Sequence, residues 1–139
     1  FDDGTNPTHD VVGSHDGSLN GPTFTPDVAP MPGCGQALSF DGSSTVTVPS
    51  AWDLGFASNQ SMTIALWFKE TGGQSTYHIL GKREGCDANG TGINYQIACT
   101  PSTGVQFNSE GSDIVPTFFQ PAPDTWTHVA VVCEVSGSA

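Results

Sequence analysis

Asp87 and Asn89 stand two residues apart in the polar run Lys82–Gly92, among glycines at positions 85, 90 and 92. Oxygen-bearing side chains at that spacing, on a chain able to turn tightly, are what a hard cation such as Ca²⁺ requires. The run matches half of a calcium loop and lacks the distal Glu, so a solvated acidic turn is the competing reading. Asp2, Asp3, Asn6 and Asp10 form a second oxygen-rich group near the start of the chain. A different chemistry is offered by Trp52, Phe118 and Phe119, which lie in Pro/Gly/Ser-rich connections. Rings that no strand needs for its buried face often serve recognition, and apolar sugar faces stack well on them. The competing reading makes them plugs at the ends of a sandwich.

Cys34, Cys86, Cys99 and Cys133 are even in number and include no Cys-x-x-Cys. Zinc ligation is disfavoured, and disulfides in an oxidising compartment are the expectation. Four cysteines allow three connectivities; the short 86–99 separation favours that bridge, which leaves 34–133. Catalytic signatures are missing. Glu70, Glu84, Glu110 and Glu134 are scattered, so they do not form the carboxylate pair of a glycosidase. His9, His15, His78 and His128 have no evident nucleophile beside them. The chain is therefore expected not to be an enzyme.

With fourteen acidic residues against three basic ones, the net charge is -11. Such a chain repels phosphate backbones and anionic lipid, which argues against nucleic-acid binding and membrane association. No apolar run is long enough to span a bilayer, so membrane insertion is not expected. Glycans, extracellular proteins and multivalent cations remain as partners. The chain opens on Phe1 rather than Met, as a processed or excised piece would.

These side chains must be positioned by strands. Met62, Ile64, Leu66 and Phe68 alternate with Thr63, Ala65, Trp67 and Lys69, and Val129, Val131 and Cys133 alternate with Trp126, His128, Ala130 and Val132. Further strands are expected at 23–24, 37–43, 45–49, 77–82, 93–98 and 105–108, punctuated by Gly, Pro, Asn or Ser. Residues 1–35 are loop-rich, and no segment carries a sustained helical period. The fold class is all-β, an antiparallel sandwich with very little helix. Met62, Ile64, Leu66, Phe68, Phe40, Val129 and Val131 are expected to be almost fully buried.

The order of Gln36-Ala37-Leu38-Ser39-Phe40-Asp41-Gly42, Met62–Lys69, Ile79-Leu80-Gly81-Lys82-Arg83, Tyr95-Gln96-Ile97 and Asp124–Val132 resembles laminin-G-like domains of the concanavalin A-like jelly-roll type. The resemblance covers most of residues 13–135 and implies one jelly-roll domain over 1–139. It also implies that strands 62–69 and 126–135 are neighbours, so that Trp67, Trp126 and His128 share a face suited to stacking on a glycan. Pentraxin-like relatives hold cations near the position of Asp87 and Asn89. Family members continue past the Trp-x-His-Val-Ala strand with a hairpin and a closing strand, whereas this chain ends at Ala139. The closure is expected to be missing or supplied by another chain. Two functional classes follow: a secreted or cell-surface carbohydrate-binding or adhesion module, and an assembly subunit of a filament, capsid or surface layer that pairs through an open sheet edge.

Overall fold

The computed structural model describes residues 8–55, 60–72, 75–83, 92–109 and 114–134. Among these residues ten strands run in order: β1 (Ser18–Asn20), β2 (Thr23–Thr25), β3 (Ala37–Ser39), β4 (Thr45–Thr47), β5 (Met62–Phe68), β6 (Tyr77–Arg83), β7 (Ile93–Thr100), β8 (Gly104–Ser109), β9 (Ile114–Pro116) and β10 (Thr127–Cys133). One 3₁₀ turn, Trp52–Leu54, precedes β5. The chain groups into two compact units, 1–54 and 55–139.

The first unit is built from two short antiparallel ladders, β1 with β4 and β2 with β3. Apolar burial is slight here, with Ala29 its one fully buried hydrophobic residue among those described. Carboxylates organise its loops instead. Asp10 accepts backbone N–H bonds from Val12, Gly13 and His15 at 3.0, 3.0 and 3.2 Å. Asp41 accepts from the N–H groups of Ser43 and Ser44 at 2.9 and 2.8 Å. These bonds, made to the charged form, hold both carboxyls well below the usual carboxylate range. His15 then joins the Asp10 loop to the 3₁₀ turn, with Nδ1 3.2 Å from Asp10 and Nε2 3.1 Å from Asp53. The strand expected to run through residue 43 stops at Ser39 because Asp41 turns the chain, with Gly42 at a φ of 88°.

The second unit is a sandwich. One layer is the antiparallel sheet β6-β7-β8-β9; the other is the pair β5–β10. Ile97, Cys99, Val105 and Phe107 form the buried centre. Met62, Ile64, Leu66 and Phe68 from β5, with Val129, Val131 and Cys133 from β10, pack against it. The face assignment expected from alternation therefore holds, but the degree of burial does not. Met62, Ile64, Leu66, Phe68, Val129 and Val131 are only half-buried, since a two-stranded layer leaves its rims open. Phe40, expected in the core, lies just beyond β3 in the first unit and is 50% exposed. The most buried side chains belong instead to β7 and β8, which occupy the middle of the larger sheet and have a paired strand on each side. Strand β9 was not anticipated. It is three residues ending in Pro116, and proline is tolerated there because β9 is the sheet edge.

Candidate functional site

Phe118 and Phe119 follow β9 in a segment stitched to the turn before β8. Phe118 N–H donates to Thr103 O at 2.9 Å, Val105 N–H to Phe119 O at 2.9 Å, and Thr117 N–H to Val105 O at 3.0 Å. Gly104 is required at this crossing. Its φ is 67°, and a Cβ there would collide with the Phe119 carbonyl. Phe118 itself holds a φ of 58°, in the left-handed region that costs a bulky residue energy, yet its side chain is 71% exposed. The fold thus fixes an aromatic ring in solvent without gaining core burial from it. Phe119 beside it is also exposed.

Directly after Phe119 the chain enters a cleft of about 310 Å³, lined by Glu70, Ser75, Tyr77, Thr100 and Gln120. Pro101, Pro121 and Pro123 make its apolar walls. Gln120 is held firmly, its Nε2 donating to the carbonyls of Thr100 and Pro101 at 3.0 Å each. Glu70 is fixed through its main chain, whose carbonyl accepts from Asp124 N–H at 2.7 Å. The Tyr77 hydroxyl is buried beside Cys99 and Glu70. Burial, with Cys99 and Glu70 alongside, pushes its ionisation upward, so the phenol stays protonated. None of these cleft residues stood out in the sequence. Glu70 lies at a strand end and Tyr77 alternates like any core residue, so only tertiary packing shows that they meet.

A second aromatic group occupies the outer face of β5–β10. The register pairs Trp67 with His128, and their rings are 5.0 Å apart at 51°. Lys69 Nζ lies 5.7 Å from the Trp126 ring, a cation–π contact. The expectation that Trp67, Trp126 and His128 share the face opposite Met62, Ile64, Leu66 and Phe68 is met by this pairing. Trp52, in the first unit, stands on the 3₁₀ turn and is 90% exposed. Sequence reading also passed over the polar face of β7 and β8, where Gln96, Gln106 and Asn108 are buried. The side-chain oxygens of Gln96 and Asn108 have no partner there.

Asp87, Asn89 and Cys86 lie outside the described residues, as do Asp2, Asp3 and Asn6. Asp10 spends its carboxylate on its own loop. Cys34, Cys99 and Cys133 are free thiols, so the expected 86–99 and 34–133 bridges are not formed. The reason lies in where the side chains point. Cys99 and Cys133 face the packed interior and act there as small apolar groups, and Cys99 Sγ lies 3.9 Å from Gln120 Oε1.

An antiparallel two-layer β-sandwich is consistent with the concanavalin A-like architecture. A family model described as the concanavalin A-like lectin/glucanases superfamily, of the laminin-G type, matches residues 40–139, and the chain belongs to that family. No curated protein and no solved structure matches it.

Proposed function

We propose that this chain is a non-catalytic, extracellular carbohydrate-binding or adhesion module that takes its ligand at the Phe118–Phe119 end of the second unit. The observation that carries this reading is Phe118, exposed and held in the left-handed region by a backbone network. An exposed ring gives a sugar a stacking surface at little cost in ordering, and the adjoining cleft offers polar groups to its hydroxyls. The family is one of lectins and glucanases. The binding reading is favoured over hydrolysis because, among the described residues, Glu70 is the one carboxylate lining the cleft, whereas glycoside hydrolysis uses two. Among the described residues no helix is long and apolar enough to cross a membrane. The outer face with Trp67, Trp126 and His128 is a second stacking surface under the same reading.

A glycan array tests the proposal. Phe118→Ala and Phe119→Ala should lose retention with the melting temperature nearly unchanged. Binding loss that tracks unfolding would make the rings structural. The assembly reading rests on β9, an edge strand with Ile114 and Val115 exposed. A sedimentation series decides between them: a monomer at all concentrations removes the assembly reading, and concentration-dependent polymers without glycan binding favour it.

A further inference from the structure

We propose that His15 is a pH-dependent clasp that holds the Trp52–Leu54 turn to the Asp10 loop while its ring is protonated and releases it when the proton is lost. The inference goes beyond the glycan-binding reading, since it concerns how Trp52 is held and not what Trp52 meets. Its basis is the placement of both ring nitrogens. His15 Nδ1 lies 3.2 Å from Asp10 Oδ2, and Nε2 lies 3.1 Å from Asp53 Oδ1. A carboxylate only accepts, so each contact needs an N–H from the ring. The imidazolium carries both. A neutral imidazole carries one and turns a lone pair toward the other carboxylate. With its side chain 22% exposed, the ring has little water to replace a lost partner. The double contact is therefore present on the acid side and lost as pH rises.

The two contacts are unequal. Asp10 is fixed by the N–H groups of Val12, Gly13 and His15, and the last of these reaches the same Oδ2 as the ring. Gly13 packs so closely that a Cβ there would lie 2.7 Å from Asp10 Oδ2 and 3.2 Å from His15 Nδ1. Asp53 instead sits on a three-residue turn, with its side chain 44% exposed. The neutral ring keeps its proton on Nδ1, toward Asp10, and the Asp53 contact is the one that breaks. That contact joins the Asp10 loop to the turn that carries Trp52, which is 90% exposed. Among the described residues the charged groups against the ring are Asp10 and Asp53. A second protonatable pair, His9 with Asp16 at 2.9 Å, touches the same loop through the Asp10 N–H bond to Asp16.

The test is ¹⁵N NMR of the full chain without ligand, stepped from about pH 5 to about pH 8, the range in which histidine changes charge. Failure of the glycan reading leaves this measurement untouched. At the acid end both ring nitrogens of His15 should carry protons, and the backbone at Trp52, Asp53 and Leu54 should be rigid, with order parameters of about 0.85. At the alkaline end Nε2 should be bare and those order parameters should fall below about 0.6, while Val12 and Gly13 stay rigid. Asp53→Ala should leave the turn loose at every pH with the amide shifts of 55–139 unchanged. His9→Gln should leave the pH step in place. Order parameters at 52–54 that do not change across the range overturn the proposal. So does a step that survives Asp53→Ala, or one that vanishes in His9→Gln.

Discussion

The two units of this chain are ordered by different forces. In 55–139 two apolar faces meet, and Ile97, Cys99, Val105 and Phe107 are removed from water between them. Among the described residues of 1–54 almost nothing apolar is buried, and order comes from carboxylates that collect backbone N–H groups and from His15 between Asp10 and Asp53. Burial is insensitive to pH and unforgiving of lost volume. Carboxylate-centred loops have the opposite character, tolerant of volume change and dependent on charge.

Ile97→Ala should produce the largest effect, a loss of about 2–5 kcal/mol in denaturant unfolding, because the site is fully enclosed and cannot collapse. Leu66→Ala, on the half-buried layer, should fall at the lower end of that range. Equal costs at the two positions would mean that both layers are equally closed. Gly104→Ala should come next, costing at least about 1–3 kcal/mol through its positive φ and the collision with the Phe119 carbonyl. A neutral outcome would show that the Phe118–Phe119 segment can move away from β8. Phe118→Gly should change stability by no more than about 1 kcal/mol, in the stabilising direction, since it relieves a left-handed aromatic. The same variant should lose glycan retention, which separates the ring's role in binding from any role in folding.

The smallest expected effect is an acid limb confined to the first unit. Asp10 and Asp41 have folded pKa values below their unfolded ones, so their stabilisation is present above the ordinary carboxylate pKa. It is lost as pH falls below about 4 toward the folded values. Asp10→Asn and Asp41→Asn should flatten that limb in amide-resolved NMR of 8–54, while 55–139 keeps its profile. A limb of the same size in both units would remove the distinction drawn here.

Alternation put Met62, Ile64, Leu66 and Phe68 on one face of their strand and Val129 and Val131 on one face of theirs, because period two leaves a strand only two faces to choose from; that the two strands are neighbours came from the resemblance. The charge that disfavours nucleic acid and the order of segments that resembles the laminin-G type were also legible, since both are properties of the chain itself. Phe118 and Phe119 were legible as loop rings; their left-handed pinning was not. That geometry depends on Gly104, a residue fourteen positions away whose contact sequence spacing cannot express.

The tertiary structure alone decided three things. Burial went to the middle of the larger sheet and left Phe40 outside it, because depth is set by how many strands flank a position and not by hydrophobicity. Cys99 and Cys133 stayed unbridged because their strand faces turn them inward, and sequence separation carries no information about direction. Glu70, Tyr77 and Gln120 became one cleft only because strand pairing and the β9–β10 connection carry three distant segments to a single end of the sandwich.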